Sequence, residues 1–241
     1  MKPTLALALF LAVFAGPVLA QAPPPTVVLL HGLARSPASM QAMQKALEAT
    51  GYRVCNIGYP SREHSVEDLA ASFVAPAIEE CAPGAQRIDF VTHSMGGIVL
   101  RQLAASGAVR NIGRVVMLGP PNHGSPIVDA LGHWPLFAAI NGPAGGELGT
   151  ADDALANRLG PAPFEAGIIA GDLSINWINS LIIPGTDDGK VSLESARLEG
   201  MRDYVTVTAA HPWLMLDSAV IRQTLHFLRS GSFDHPEQSG S

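Results

Sequence analysis

Hydrophobic and polar positions along the chain fall into alternating blocks with two different periods. Val27–Leu30 is an unbroken apolar run of the kind that fills a parallel strand covered on both faces, and it ends at His31-Gly32. From Ser39 to Thr50 the pattern turns helical. Met40, Met43 and Leu47 share a face, and Gly51 supplies the stop. Tyr52–Ile57 reads as the next strand. Ser65 followed by Asp68 resembles a capping-box start for a helix reaching about Cys81, which Pro76 should kink or split. Ile88–Thr92 predicts a third strand and Met95–Ala105 a helix ended by Gly107. Val115–Leu118 is another strand, closed by Gly119-Pro120-Pro121. Over residues 122–165 the rhythm breaks. This stretch is rich in Gly, Pro and Ala, with weak helical segments at Ile127–Leu131 and Asp152–Arg158, and it reads as an insertion or cap. Strands then resume at Gly167–Ala170 and Tyr204–Thr208. A last helix over Ser218–Arg229 places Ile221, Leu225 and Leu228 on one face. There is no internal repeat.

Repeated strand–helix units predict an α/β fold with a mostly parallel central sheet and helices on both faces. In such sheets chemistry collects at the carboxyl ends of the strands. Residues 21–229 are expected to form one domain, with 122–165 as its insertion or lid and 230–241 as a polar, flexible tail. The chain has 241 residues, 47% hydrophobic and 15% charged, enough to bury a sizeable core. Its formal net charge of −6 speaks against a nucleic-acid partner.

Residues 1–20 have the layout of a signal peptide. Lys2 precedes the apolar run Leu5–Phe14, Gly16-Pro17 breaks it, and Val18-Leu19-Ala20 ends on small residues before Gln21. The alternative is an uncleaved anchor. Export, to the periplasm or outside the cell, bears on the two cysteines, because thiols pair in oxidising compartments. Cys55 lies in a predicted strand and Cys81 at the end of the helix after it. A helix returning over its own strand brings its end near the strand's beginning, so a Cys55–Cys81 disulfide is expected, with two buried free thiols as the alternative.

The strongest chemical signal is Thr92-His93-Ser94-Met95-Gly96-Gly97, between a strand and a helix. An acyl-transfer nucleophile must project from a tight turn so that its hydroxyl faces the substrate and the following N–H faces the developing oxyanion. The segment resembles the nucleophile elbow of α/β-hydrolases, in the bacterial lipase and esterase branch. Thr92 departs from that pattern, since it stands where the first glycine of Gly-x-Ser-x-Gly is usual. The resemblance implies Ser94 as nucleophile and, with His31-Gly32-Leu33 after the first strand, an oxyanion hole of Leu33 N–H and Met95 N–H. His31 itself should support the loop. In this family the acid and then the histidine follow the serine. Asp187-Asp188-Gly189-Lys190-Val191 resembles the acid turn of related lipases, favouring Asp188 over Asp187. His211, after the last predicted strand, fits as the general base. His93 should point away from the nucleophile.

Zinc spacing, phosphate-binding glycine loops and EF-hand loops do not occur, so no metal or cofactor is expected. Asp152-Asp153 reads as an exposed helix start. Leu131, Trp134, Leu136, Phe137 and Ile140 are candidates either for the wall of an acyl pocket or for a small core of the insertion, and Trp213 is a further candidate wall. The leading expectation is a lipase-like carboxylesterase acting on a small-molecule or lipid ester, with transient contact to a lipid interface left open. An acyltransferase or a phospholipid deacylase would use the same triad. From another class, a non-catalytic binding protein could keep the fold.

Overall fold

The computed structural model describes residues 24–235. The signal-peptide reading of residues 1–20 and the end of the tail therefore lie outside the described residues. Six strands, β1 (Thr26–Leu30), β2 (Arg53–Ile57), β3 (Ile88–His93), β4 (Ile112–Leu118), β5 (Glu165–Gly171) and β6 (Asp203–Val207), form one sheet in the order β2-β1-β3-β4-β5-β6. Every neighbouring pair is parallel. The chain order reverses at β1 and β3, and loops leaving those two central strands open a crevice there.

Alternation along the strands divides the core in two. Val28 and Leu30 point to one face with Phe90 and Met117, while Val27 and Leu29 point to the other with Val91 and Val116. Two helices, α1 (Gln41–Ala49) and α10 (Ser218–Ser230), cover the second face through Met43 and Leu47, and Val220, Phe227 and Leu228. The first face is covered by the run from α2 (Val66–Asp68) to α3 (Ala75–Cys81) and by α4 (Met95–Ala105). Each fully buried aliphatic side chain contributes about 1.5–3 kcal/mol relative to exposure. Both faces of the sheet are thus load-carrying, which holds the strand ends that build the site.

Two predicted helices take a different form. The segment from Ser65 begins as expected, with Ser65 Oγ accepting from Asp68 N–H. It then widens into a π turn over Leu69–Val74 before α3, and Ala75 N–H reaches back to Ala70 O. Pro76 neither breaks nor splits this helix. A proline lacks the N–H and its ring collides with the carbonyl four residues back, and the wider turn upstream relieves that conflict. The helix predicted over Ser39–Thr50 opens with a 3-10 turn, Pro37–Met40.

Residues 122–165 contain α5 (Pro126–Leu131), α6 (Pro135–Gly146) and α7 (Leu155–Arg158). α7 is shorter than the predicted Asp152–Arg158 helix, and Asp152 and Asp153 are exposed in the turn before it. α6 is two pieces joined at Gly142, whose φ is 66° and where a Cβ would lie 1.7 Å from Arg62 O. The buried residues of the insertion, Ala144, Leu148 and Ala156, join the main core. Arg101 of α4 ties the insertion down: its guanidinium donates to the carbonyls of Asn122, Ala156 and Gly160.

Two short helices complete the fold, α8 (Trp177–Ser180) and α9 (Leu193–Ala196). α10 is capped by Asp217, which accepts from Ala219 and Val220 N–H, and is ended by Gly231 in the left-handed region. The tail read as flexible from residue 230 is anchored as far as His235. Phe233 is buried against Phe227, Phe233 N–H donates to Asp203, and His235 meets the same carboxylate at 2.9 Å. One aromatic residue within a polar stretch suffices to dock residues 230–235.

Cys55 and Cys81 form a disulfide with Cα atoms 6.0 Å apart. It joins the middle of β2 to the last residue of α3, the return geometry expected from the sequence. Among the described residues no helix is long and apolar enough to cross a membrane.

Candidate active site

The carboxyl ends of β1, β3, β4 and β5 and the loop after β6 supply the site. β3 runs straight into α4, with Ser94 as the connecting residue. Its φ of 53° and ψ of −125° lie outside the ordinary L-residue regions. Such strain persists only where the surroundings over-determine it, and here they do. Ser94 N–H donates to Leu118 O at 2.9 Å, and Ser94 O accepts from Gly97 N–H at 2.9 Å. A Cβ on Gly96 would sit 2.5 Å from Leu30 O, so only glycine lets α4 start this close to β1. Thr92, the departure from the usual elbow, is fully buried. A Cβ on Gly97 would be 3.3 Å from Thr92 Oγ1. The bulk added before the serine is thus accommodated by the second glycine after it.

The acid turn follows β5. Asp188 is 1% exposed and Asp187 5%, so burial does not separate them. Hydrogen bonding does. Asp188 Oδ1 accepts from Lys190 N–H at 3.0 Å and Val191 N–H at 2.9 Å, which leaves Oδ2 for His211 Nδ1 at 2.7 Å. Asp187 turns the other way, accepting from Gly189 N–H at 2.7 Å and Ser180 Oγ at 2.9 Å. It shapes the turn.

His211 opens the 3-10 turn His211–Leu216 after β6, and its N–H donates to Asp188 O at 3.0 Å. Its Nε2 lies 3.0 Å from Ser94 Oγ. The tautomer that satisfies both ring contacts carries its proton on Nδ1 and offers Nε2 as acceptor to the Ser94 hydroxyl. Ser94, His211 and Asp188 therefore form one hydrogen-bonded chain.

Leu33 and Met95 flank the serine. Met95 N–H opens α4, where the first N–H groups have no intrahelical acceptor. No backbone acceptor outside the helix is found for it among the described residues, nor any for Leu33 N–H. The Leu33 loop is held from below. His31 is buried, its Nδ1 lies 2.9 Å from Gly32 O, and its ring stacks on Tyr59 at 4.1 Å. Tyr59 OH donates to His31 O. Burial lowers the pKa of His31 and raises that of the Tyr59 phenol, so both stay neutral.

The His93 ring packs against that of His211, with centroids 4.9 Å apart. Its Nε2–H donates to His211 O at 3.0 Å. Burial, and then the neighbouring His211, hold its pKa well below that of a free imidazole. Sequence reading assigned His93 only to the elbow. The hydrogen bond shows that it also supports the histidine loop.

A cavity of about 180 Å³ opens over Ser94 and His211. Ile127 and Val128 of α5, Phe137 of α6 and Leu148 form its apolar side, and Arg35, Asn179 and Lys190 add polar groups. Of the aromatic residues expected in the pocket, Phe137 lines it, whereas Trp134 and Trp213 do not. Trp134 is 55% exposed at the start of α6, and Trp213 is 52% exposed within the 3-10 turn that His211 opens. Trp134 stands in extended backbone before the first turn of α6, and Trp213 lies two residues past His211 in a 3-10 turn, so closeness in sequence carries neither toward the cavity. Leu136 and Ile140 are likewise exposed. Arg35, Ser125, Asn179 and Lys190 escaped the sequence reading, although Lys190 stands within the acid turn itself.

A parallel sheet with a strained serine turn at its crevice, and a histidine and an aspartate following in order, defines a hydrolase-type α/β protein. Residues 27–226 match the model of the alpha/beta hydrolase family, and the chain belongs to that family. No curated protein matches the sequence. Among solved structures the chain is similar to Bacillus licheniformis lipase BlEst2 in mature form, at 22% identity, covering 89% of this chain and 94% of that one, with a TM-score of 0.63. It is similar to Aspergillus fumigatus lipase B at 13% identity, covering 89% and 55%, with a TM-score of 0.65. It is also similar to phospholipase PlaB from Legionella pneumophila at 17% identity, covering 79% and 53%, with a TM-score of 0.62. At these identities the likeness is one of fold, and the chain spans about half the length of the last two.

Proposed function

We propose that the protein hydrolyses carboxylic esters through a Ser94–His211–Asp188 triad and an acyl-enzyme. The observation that carries this reading is the continuous chain of contacts, 3.0 Å from Ser94 to His211 and 2.7 Å from His211 to Asp188, at the base of an apolar cavity. In this scheme His211 Nε2 takes the Ser94 proton as Oγ attacks the ester carbonyl. Asp188 holds the histidine in the required tautomer and stabilises the imidazolium. Leu33 and Met95 N–H receive the oxyanion, a contribution worth about 100- to 1000-fold in rate for each donor. His211 then protonates the leaving alcohol, and water, activated by the same Nε2, releases the acid.

The cavity lies below the range of roughly 300–1,000 Å³ typical of sites enclosing drug-sized ligands, which favours short acyl chains or substrates that protrude. Exposed apolar residues on the connections after β4 and β5, Trp134 and Trp177 among them, support contact with esters presented at a lipid surface. The disulfide is compatible with export, and the signal-peptide-like residues 1–20 favour it. The direct test is a panel of short and long acyl esters assayed with the natural protein and with Ser94→Ala. The variant is expected to lose at least about 10⁴-fold in kcat with its circular dichroism unchanged. A folded variant that retains full esterase activity refutes the triad.

A further inference from the structure

The cavity holds two cations for which the proposed hydrolysis has no use. Arg35 follows the His31-Gly32-Leu33 loop and Lys190 belongs to the acid turn, and both line the cavity that contains Ser94. Among the described residues neither enters an ion pair. The one carboxylate of the site, Asp188, is already engaged by two backbone N–H groups and by His211. The site is therefore locally positive in a chain of net charge −6.

Both cations spring from fixed backbone. Ala34, just before Arg35, adopts a φ of 55° and donates its N–H to Ser61 Oγ at 3.0 Å. Arg35 N–H closes the turn onto Gly32 O. Lys190 N–H is held by Asp188, and Lys190 O accepts from Ser125 Oγ at 3.3 Å. Desolvation at the cavity, and then the charge of Arg35, pull the Lys190 pKa down against the opposing charge of Asp188, and both cations also bear on buried His93. Unpaired like charges held together at a site edge are unfavourable unless an anion offsets them.

We infer that Arg35 and Lys190 bind an anionic group, a phosphate or a carboxylate, carried by the alcohol portion of the ester substrate. The alcohol side belongs to the inference and is drawn from the place of Lys190 in the acid turn. Lys190 adjoins the Asp188–His211 pair, and His211 is the group that protonates the leaving oxygen. The apolar wall of Ile127, Val128, Phe137 and Leu148 is left for the acyl chain. A guanidinium fork and an ammonium together suit a multi-oxygen anion, and both side chains are exposed where they meet the cavity. The inference rests on the proposed hydrolase reading and names its substrate class.

Three butyryl esters test it: those of glycerol, of glycerol 3-phosphate and of 3-hydroxypropanoate. Each is assayed with the natural protein, Arg35→Gln/Lys190→Gln, Lys190→Glu and Ser94→Ala. The quantity read is the ratio of kcat/KM for an anionic ester to that for the neutral one, compared between proteins, so that intrinsic ester reactivity cancels. The double variant is expected to lower this ratio about tenfold, chiefly through KM, as two partly screened ion pairs allow. Lys190→Glu is expected to lower it further, and rising salt to reduce it in the natural protein. The larger drop, with phosphate or with carboxylate, identifies the anion. A neutral ester that is cleaved in a Ser94-dependent way, with a ratio unchanged in both charge variants, overturns the inference and leaves the hydrolase reading standing. If no ester is cleaved, or cleavage survives Ser94→Ala, the hydrolase reading itself fails and takes the inference with it.

Discussion

The floor of the site and its rim are equally rich in large apolar residues, yet water sees them differently. Leu29, Leu30, Phe90 and Met95 on the floor are fully buried. On the rim, Ile175 is 53% exposed, Trp177 71% and Leu181 77%. Floor residues lie on strands and helices with a partner layer on each side, so a period of 2 or 3.6 turns each of them toward another element. Rim residues lie on connections that leave the carboxyl ends of β4, β5 and β6, where one short helix such as α8 has nothing packed over it. Hydrophobicity decides whether a residue could be buried, and the layer geometry decides whether it is. Rigid backbone on the floor holds the strained serine, while the rim carries the apolar surface and the two cations that would meet a substrate.

The largest expected effect lies between two adjacent residues of the acid turn. Asp188→Asn should lower kcat by about 10⁴-fold, because the amide favours the wrong histidine tautomer. Asp187→Asn removes a turn contact and should cost less than about tenfold, the range of a lost hydrogen bond. Steady-state kinetics of the two folded variants decides the assignment, and comparable losses would merge their roles. Next in size is a pair of leucines. Leu29→Ala should destabilise by about 2–5 kcal/mol through its cavity, whereas Leu181→Ala should stay within about 0.5 kcal/mol. Denaturant midpoints measure both, and a large loss at Leu181 would mean that the rim is packed after all.

A smaller effect comes from pH. His31 and His93 are held neutral in the fold, with pKa values depressed by burial. As pH falls below about 6.5 the unfolded chain takes up protons at these residues before the native state does, so stability falls. Each histidine should contribute to that loss, His93 the more because its pKa is lowered further. His93→Gln should flatten the dependence of the unfolding midpoint on pH, and an unchanged slope would show that His93 does not contribute.

Floor and rim also differ in how far the sequence revealed them. Val27–Leu30, Ile88–Thr92 and Met95–Ala105 were legible because burial on both faces or on one stripe leaves a regular pattern. The order serine, aspartate, histidine was legible because Ser94 directly follows a strand, while Asp188 and His211 stand in later connections beside turn-forming residues. The π turn upstream of Pro76 was not, since one proline fits a kink, a split or a widened turn equally well. Leu173–Leu181 mixes apolar spacings of one, two and three residues and keeps neither period throughout, and only the fold shows that it is exposed. Arg35 and Lys190 were invisible as a pair because residues 155 positions apart meet only when the loops after β1 and β5 converge on one crevice. Trp134 and Trp213 were misplaced for the opposite reason, since closeness in sequence to the site says nothing of the direction a side chain takes.

The central claim is that Ser94 is a nucleophile activated by His211, and covalent labelling addresses it most directly. The natural protein, His211→Ala and Ser94→Ala would be treated with a fluorophosphonate probe, and the modified peptide mapped by mass spectrometry. Labelling is expected on Ser94 alone, slowed by at least about 10³-fold in His211→Ala and abolished in Ser94→Ala. Labelling on another residue, or labelling of Ser94 at an undiminished rate without His211, would contradict the account.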